Sequence, residues 1–343
     1  MKVSVWYNNS DIRLEEVPTP QPGAGEMLVK VISSGICGSD VVEWYRLPRA
    51  PLVMGHEVGV EVVETGEGVS KFKKGDRLFI APKVPCLKCS YCRKGHFPQC
   101  TEIKDRLPGG FAEYILVPKE IVNHGSYLLP DTMTFDQATF IEPLACVVRA
   151  QRLASLGAGD MVLILGSGMS GLLHTKLARL RGCRVMVTDI HPWKLEMANE
   201  FGADAVADAK SDLPGQLMAA FGRKADAVIV TTSSLSALTQ AWASVDMGGV
   251  IVLFAVPDPD KGVTVPVNDF WRKEIRIITS YYCGPPDIEE AIDLIASGNI
   301  IVDHLITHRL PLSETAKGFQ MLLDGDEAVK IIIKPQERLK IAK

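Results

Sequence analysis

The 343-residue sequence lacks any run of about 18 consecutive apolar residues, the minimum for a membrane-spanning helix. Residues 1–17 contain acidic side chains and no apolar stretch typical of an export leader. Basic residues are not in excess, with 37 Lys and Arg against 41 Asp and Glu, so nothing indicates a surface that concentrates nucleic acid or anionic lipid. We therefore expect a soluble, cytoplasmic protein that binds neither membranes nor nucleic acid.

Internal repeats and low-complexity tracts are also lacking. Apolar residues make up 47% of the chain and charged residues 23%, and the 29 Gly and 21 Pro are dispersed along it. This composition is typical of a folded α/β protein. The chain is too long for one core of ordinary size, so we expect two domains of roughly 100–200 residues each.

Three segments differ in their sequence pattern. Residues 1–142 are short strand-like runs separated by Gly and Pro, which predicts a β-rich domain. Residues 143–283 contain strand-length apolar runs that alternate with helical stretches, which predicts a doubly wound parallel sheet. Residues 284–343 contain an amphipathic helix over 287–296, a strand, a second helix and a final strand. This last segment is small for an independent domain, and we expect it to complete the first one.

Four of the eight cysteines lie close together in a polar, turn-rich loop. Without an export leader, cysteines indicate thiolate chemistry more than disulfides. Four thiolates at this spacing can close a tetrahedral shell on a structural Zn²⁺. Unpaired surface thiols, an iron–sulfur cluster and a nucleic-acid-binding zinc module are weaker alternatives. The predicted ligands are Cys86, Cys89, Cys92 and Cys100.

A second candidate metal site combines Cys37, in the run GICGSD, with His56, in the run GHE. A thiolate and an imidazole suit Zn²⁺, and a carboxylate can complete the set while one position stays open for catalysis. Glu57 and Glu142 are both candidates for that carboxylate, as ligands or as residues that orient the ligands. Taken alone the pattern is weak, because a lone Cys and a lone His are more often core residues.

A glycine-rich turn follows the apolar run MVLIL and precedes a helical stretch. Its glycines allow a pyrophosphate to approach the helix N-terminus, and an aspartate at the end of the next strand favours NAD over NADP. A turn of another doubly wound protein, or one that binds FAD or a methyl donor, is the alternative. The predicted cofactor-binding residues are Gly166, Gly168, Met169, Ser170, Gly171 and Asp189, with Thr231, Ala255 and Val256 at later strand ends.

Together these motifs resemble the zinc-dependent medium-chain dehydrogenase/reductase (alcohol dehydrogenase) family, especially its sorbitol or polyol and threonine dehydrogenase branch. The resemblance spans almost the whole chain. It depends on GICGSD, GHE, the four-cysteine loop, KKGDRL, GGFAEY, the pair Glu142-Pro143, and GSGMSG followed by Asp189.

The resemblance implies a GroES-like β-rich catalytic domain, a Rossmann domain that binds NAD, two zinc ions per chain, and a homodimer or homotetramer. It implies that Cys37, His56 and Glu57 hold the catalytic zinc, with Glu142 as a further ligand by exchange or through water. It makes Ser39 the residue that passes the substrate proton towards the cofactor ribose. The expected reaction is hydride transfer from a secondary alcohol, such as a polyol or a sugar derivative, to NAD.

One position departs from that branch of the family. Relatives commonly carry a proton-relay His five residues after the zinc Cys, where this chain has Val42. This departure makes a threonine dehydrogenase less favoured, although a threonine-type or simple alcohol dehydrogenase stays an alternative. A metal-free reductase or lyase of the same superfamily, and a non-catalytic NAD-binding protein that retains the fold, are the alternatives outside that chemistry.

Overall fold

The computed structural model describes residues 1–325 and 327–337, so the last six residues of the predicted C-terminal segment, 338–343, lie outside the described residues. The chain divides into two compact units. The first contains Met1–Pro143 and Cys283–Lys343, and the second contains Leu144–Tyr282. Within the described residues, no helix has the length and apolar character to cross a membrane.

The N-terminal part of the first unit is mainly strands joined by short helices. The strands are Lys2–Asn8 (β1), Asp11–Glu16 (β2), Met27–Gly35 (β3), Leu52–Val53 (β4), Glu57–Thr65 (β5), Arg77–Ile80 (β6), Tyr114–Val117 (β7) and Ser126–Leu128 (β8). The helices are Glu43–Arg46 (α1), Ser90–Arg93 (α2), Lys119–His124 (α3) and Phe135–Ala138 (α4). The predicted β-rich character is confirmed.

Strands β3 and β5 form the centre of the larger sheet in this unit. They pair antiparallel from Met27 opposite Thr65 to Gly35 opposite Glu57. Along part of each strand, every second residue is a fully buried valine, as expected for a half-buried strand: Val29 and Val31 in β3, and Val58, Val60 and Val62 in β5. A separate sheet has the order β2-β1-β4.

The second unit begins within the helix Ile141–Leu153 (α5) and is built on a parallel sheet. Its strands are Met161–Leu165 (β9), Arg184–Asp189 (β10), Ala205–Asp208 (β11), Ala225–Val230 (β12), Val245–Leu253 (β13) and Arg276–Thr279 (β14). Its helices are Met169–Leu180 (α6), Pro192–Glu200 (α7), Leu213–Phe221 (α8), Leu235–Ser244 (α9) and Val267–Lys273 (α10).

All neighbouring strands of this sheet are parallel, in the order β11-β10-β9-β12-β13-β14. This is the 3-2-1-4-5-6 order of dinucleotide-binding folds, and the predicted doubly wound sheet is confirmed. Five apolar runs of the sequence predict strands, and they correspond to β9, β10, β12, β13 and β14. These runs are MVLIL, RVMVT, AVIV, VIVLF and RIIT. Strand β11 was not predicted, because it is a short edge strand of four residues in which only Ala207 is buried.

The C-terminal segment returns to the first unit. It consists of Pro285–Ala296 (α11), Ile306–Pro311 (β15), Thr315–Asp324 (α12) and Lys330–Lys334 (β16). Strand β16 pairs antiparallel with β3, so it joins the larger sheet, whose order is β15-β16-β3-β5-β6-β8 with β7 also on β3. Helix α11 begins at Pro285, two residues before its predicted start at 287. Pro285 and Pro286 fit there because the N–H groups of a first helical turn have no partner within the helix.

A cluster of charged side chains joins this C-terminal segment to the larger sheet. The carboxylate of Asp136, in α4, accepts hydrogen bonds from Ser33 Oγ at 2.6 Å, Lys334 Nζ at 2.8 Å and Arg309 Nε at 2.7 Å. Burial alone would raise the pKa of Asp136, but hydrogen bonds from Lys334, Ser33 and Arg309 outweigh burial and lower it. The charged form of Asp136 is therefore stabilised by folding.

Replacing Asp136 by Asn should lower the free energy of unfolding at neutral pH by about 1.5–3 kcal/mol, the usual contribution of hydrogen bonds to a charged group. Because the folded pKa lies below the ordinary value of 3.8, the stabilisation is complete above that value and is lost as the pH falls through the folded pKa. Urea unfolding from pH 7 to pH 3 should therefore show wild type and Asp136→Asn converging in acid. Asp131→Asn, which removes an exposed carboxylate, is the control; a constant difference at all pH values would contradict this role.

Candidate functional site

The first candidate metal group lies where β3 ends and β5 begins. Cys37 follows β3, His56 immediately precedes β5, and Glu57 is the first residue of β5. Because Gly35 and Glu57 are opposite each other in the sheet, the two chain segments meet at this edge. One ligand atom from each of Cys37, His56 and Glu57 lies within 4.8 Å of the others. These three predicted residues are therefore brought together.

The turn before His56 requires a glycine. Gly55 has a φ of +94°, a conformation that residues with a side chain rarely adopt. A Cβ at this position would lie 2.8 Å from the backbone nitrogen of Phe111. The turn therefore directs His56 towards Cys37 only with glycine at position 55.

The Cys37 thiol accepts two local hydrogen bonds. The backbone N–H of Ser39 donates to Cys37 Sγ at 3.4 Å, and the Ser39 hydroxyl donates to it at 3.3 Å. Burial raises the pKa of Cys37 and the Glu57 carboxylate raises it further, whereas His56 lowers it. A divalent cation would compete with the proton for this sulfur, and the two donors would help to stabilise a thiolate.

An aspartate lies behind His56. Asp40 is fully buried, and its Oδ1 lies 3.3 Å from His56 Nδ1 and 2.9 Å from Arg46 Nη2. Burial would raise the pKa of Asp40, but His56 and Arg46 outweigh it and lower the pKa. Burial would lower the pKa of His56, but the charges of Asp40 and Cys37 raise it well above 6.5. With Nδ1 directed at Asp40, Nε2 of His56 is the nitrogen available to a metal ion.

Glu57 is paired with a lysine from the returning segment. Lys330 Nζ, in β16, donates to Glu57 Oε2, and both side chains are fully buried. Lys330 Nζ also lies 5.0 Å from the centre of the Phe140 ring. The second oxygen, Oε1, is buried and has no hydrogen-bond partner among the described residues. A buried carboxylate oxygen without a donor is a position that a cation can satisfy, so this donor set fits a zinc ion.

Glu142, the other predicted carboxylate, does not belong to this group of three. It is buried in the first turn of α5, and its carboxylate lies within 4.8 Å of the thiol of Cys283. Glu57 is therefore the carboxylate that the fold places beside Cys37 and His56.

The four cysteines of the predicted structural site form a compact group. Their sulfur atoms all lie within 4.8 Å of one another, and Cys86 Sγ is 4.0 Å from Cys92 Sγ. Ligands about 2.3 Å from a tetrahedral zinc are about 3.8 Å apart, which matches this spacing. The predicted set is Cys86, Cys89, Cys92 and Cys100.

Backbone N–H groups point at several of these sulfurs. The N–H of Cys89 donates to Cys86 Sγ at 3.3 Å, and that of Cys92 donates to Cys89 Sγ at 3.5 Å. The hydrogen bond from Cys92 lowers the pKa of Cys89 to about 6, whereas burial raises the pKa of Cys92 to about 12. A bound zinc deprotonates a thiol outright, so this set also fits a zinc ion.

In the second unit, the glycine-rich turn joins β9 to α6. Gly168 is the N-cap of α6, and Met169 and Ser170 begin the helix. Among the residues that the structure describes, no side chain caps this end, so its N–H groups are available to an anion. A Cβ on Gly171 would overlap the carbonyl oxygen of Gly166, which explains why this tight turn needs glycine there.

The other predicted cofactor residues lie at the carboxyl ends of the neighbouring strands. Thr231, after β12, donates its hydroxyl to the carbonyl oxygens of Leu165 and Gly166 at 2.9 Å each. Asp189 ends β10. Its carboxylate accepts from the backbone N–H of Ser167 at 2.8 Å and of His191 at 3.0 Å. Ala255 and Val256 follow β13, and the Ala255 N–H donates to the carbonyl oxygen of Val230 at 3.0 Å.

Asp40, Arg46 and Lys330 were not predicted to support the metal ligands. Asp40 lies inside the quoted run GICGSD, three residues after Cys37, so its position in that motif could have identified it. The contact of Lys330 with Glu57 spans 273 residues, and no local pattern predicts it.

Comparisons with known proteins agree with this geometry. The model of the alcohol dehydrogenase GroES-like domain matches residues 23–127, and that of the zinc-binding dehydrogenase domain matches residues 171–297. A sorbitol dehydrogenase of Gallus gallus is 32% identical over 348 residues, which cover 96% of this chain and 95% of that protein. The chain belongs to the zinc-dependent alcohol dehydrogenase family.

Two further relatives of this dehydrogenase are informative. The (R,R)-butanediol dehydrogenase of Bacillus subtilis (strain 168) is 30% identical, with 98% of this chain and all of that protein covered (100%). A structure described as a zinc-binding dehydrogenase of Sinorhizobium meliloti 1021, bound to NADP, superimposes with a TM-score of 0.86 at 30% identity, covering 97% of this chain and 99% of that one. The dehydrogenase is thus an oxidoreductase with a GroES-like part and a nucleotide-binding part, and its family chemistry uses zinc and a nicotinamide cofactor.

Proposed function

We propose that this dehydrogenase oxidises a secondary alcohol of the polyol type with NAD and holds two zinc ions per chain. The observation that carries the proposal is the group of Cys37, His56 and Glu57, in which the buried Glu57 Oε1 has no hydrogen-bond partner within the described part of the chain. The names of two relatives, sorbitol and butanediol dehydrogenase, support a substrate with more than one hydroxyl.

In this proposal Cys37 and His56 hold the catalytic zinc and Glu57 supplies the third ligand through Oε1. Glu142 is the alternative carboxylate, by exchange or through water. When bound, zinc lowers the pKa of a substrate hydroxyl, and the nicotinamide accepts hydride. The Ser39 hydroxyl, 3.3 Å from Cys37 Sγ, would accept the substrate proton as its own proton leaves towards the cofactor ribose. Cys86, Cys89, Cys92 and Cys100 hold the structural zinc.

Replacing Cys37 by Ser should remove one of two zinc ions and lower kcat/KM by more than about 100-fold, since even residues behind the ligands contribute up to that factor. Zinc content by elemental analysis and NAD reduction with sorbitol, 2,3-butanediol, inositol, sugar acids and simple secondary alcohols measure both effects. NADH binding should persist, because the nucleotide turn is in the other unit.

Cys183→Ser is the matched control, because Cys183 is buried and belongs to neither of these metal groups. It should keep both zinc ions and full turnover, whereas Cys100→Ser should mainly impair folding. Near-normal turnover of Cys37→Ser with some alcohol of the panel would refute the catalytic assignment.

The preference for NAD is assigned to Asp189. A carboxylate at the end of the second strand accepts hydrogen bonds from a ribose 2′-hydroxyl and repels a 2′-phosphate. Its two oxygens already accept backbone hydrogen bonds, which fix the orientation of the carboxylate. The other predicted residues, from Gly166 to Gly171 and at Thr231, Ala255 and Val256, would surround the pyrophosphate and the rest of the dinucleotide.

Asp189→Asn keeps the size of the side chain and removes its charge. The ratio of kcat/KM for NAD to that for NADP should fall roughly tenfold, which corresponds to about 1.4 kcal/mol. Glu196→Gln, an exposed charge removal on α7, should leave the ratio unchanged. If Asp189→Asn behaves like this control, Asp189 does not select the cofactor.

A homo-oligomer is proposed from the surface of the second unit. Strand β14 is at the edge of the parallel sheet, pairing only with β13 among the described strands. Val267 and Trp271, on α10, the helix that precedes β14 in the chain, are 69% and 75% exposed. An unpaired strand edge with apolar neighbours is suited to a second copy of the same chain, because a two-fold axis presents the same edge to itself. We infer a dimer or tetramer that uses this edge.

Light scattering should give two or four times the mass of one chain for wild type, and Trp271→Glu should shift the mass downwards. Met218→Glu is the control, since Met218 is 52% exposed on α8, which packs beside β11 at the opposite edge of the sheet. A wild-type monomer would refute the oligomer, and an unchanged Trp271→Glu assembly would refute this interface.

A further inference from the structure

The Arg46 guanidinium is directed inward, towards the metal group. Its side chain is only 12% exposed. Nη2 donates to Ser39 Oγ at 2.9 Å and to Asp40 Oδ1 at 2.9 Å, and Nε donates to the backbone carbonyl of Ser39 at 3.1 Å. Three of its hydrogen bonds thus go to the two residues that support Cys37 and His56.

The contact with Ser39 determines where the serine proton points. Because Arg46 donates to Ser39 Oγ, it occupies a lone pair of that oxygen, and the hydroxyl proton is left to point at Cys37 Sγ, 3.3 Å away. The hydrogen bond from Nε to the Ser39 carbonyl fixes the backbone beside it. Arg46 therefore holds Ser39 in the orientation in which it donates to the candidate zinc thiolate.

The contact with Asp40 fixes the other metal ligand. Asp40 Oδ1, 3.3 Å from His56 Nδ1, accepts from Arg46, and Asp40 Oδ2 accepts from the backbone N–H of Cys37 at 3.1 Å. Asp40 is fully buried, and without Arg46 its negative charge would lose its only arginine partner in the described structure. A buried carboxylate that loses its cation pays a large desolvation cost and reorganises.

We infer that Arg46 is a positioning residue of the catalytic metal site, which holds Ser39 against Cys37 and Asp40 against His56 through one guanidinium. This inference rests on the proposed function, because it assigns zinc to Cys37 and His56. Arg46 acts through Ser39 and Asp40 and does not itself bind the metal ion.

Arg49 provides a matched control. Arg46 and Arg49 both lie 5.0 Å from the centre of the Tyr45 ring, so both take part in the same cation–π cluster. Arg49 is exposed, and its Nη2 donates to the carbonyl oxygen of Tyr45 at 3.2 Å, not to Ser39 or Asp40. If Arg46 acted only through this cation–π cluster or through its positive charge, replacing Arg46 and replacing Arg49 should have the same effect.

The test compares wild type, Arg46→Met, Arg46→Lys and Arg49→Met, each as the full chain purified with zinc. Transfer of zinc to a coloured chelator is followed in time, together with kcat and KM for the best polyol. Arg46→Met should lower the affinity for one zinc ion about 10- to 100-fold and leave the second, held by four cysteines, unchanged. Arg46→Lys, which keeps the charge but not the fork of donors, should lie between Arg46→Met and wild type.

The kinetic constants add a readout that loss of stability would not reproduce. For chains fully loaded with zinc, Arg46→Met should lower kcat more than it raises KM, because Arg46 fixes the position of Ser39, the proposed proton acceptor, and is not proposed to bind the substrate. Combining Arg46→Met with Asp40→Asn should give far less than the product of the two single effects on zinc affinity, since both changes break the same contact.

Three outcomes are decisive. If wild type holds two zinc ions and Arg46→Met retains them as Arg49→Met does, the positioning role is refuted while the proposed function stands. Independent effects of Arg46→Met and Asp40→Asn would also refute it. If wild type holds only the four-cysteine zinc, the proposed function fails, and the role of Arg46 fails with it.

Discussion

The antiparallel pairing of β3 with β5 is the constraint on which the candidate metal site depends. Gly35 opposes Glu57 in this ladder, so the segment that leaves β3 with Cys37 meets the segment that enters β5 with His56. Because side chains alternate between the two faces of a strand, a slip of one residue would move Glu57 to the other face of the sheet. The buried valines of both strands oppose such a slip, so hydrophobic packing in one part of the sheet fixes the ligand geometry at its end.

Two buried ion pairs border the same metal group. Arg46 with Asp40 lies behind His56, and Lys330 with Glu57 lies behind the third donor. Burying charges costs free energy that a single pair often does not recover, so such pairs are better explained by the geometry that they impose than by the stability that they add. Burial would raise the pKa of Asp40, but His56 and Arg46 lower it, so this carboxylate stays ionised behind the imidazole.

Much of this arrangement was predictable because it is local in sequence. The cysteine loop spans fifteen residues from Cys86 to Cys100, and the nucleotide turn has strand, glycines and helix in immediate succession. Contacts between distant segments could not be predicted in the same way. Lys330 contacts Glu57 only because β16 joins β3, and Arg46 reaches Ser39 only because α1 turns its side chain inward. Strand β11 escaped prediction because its four residues carry too short an apolar pattern, and the proline start of α11 because a first turn needs no N–H donors.

The ion pair between Glu57 and Lys330 also has a consequence for biosynthesis. Its two residues are separated by 273 positions, so the ribosome adds Lys330 roughly 14–55 s after Glu57, at about 5–20 residues per second. During that interval β3 lacks its β16 neighbour and the carboxylate of Glu57 lacks its cation. The nascent chain therefore carries the thiol, the imidazole and the carboxylate of the candidate metal group before β16 has joined β3, and the carboxylate gains its buried lysine partner only after residue 330 has been synthesised.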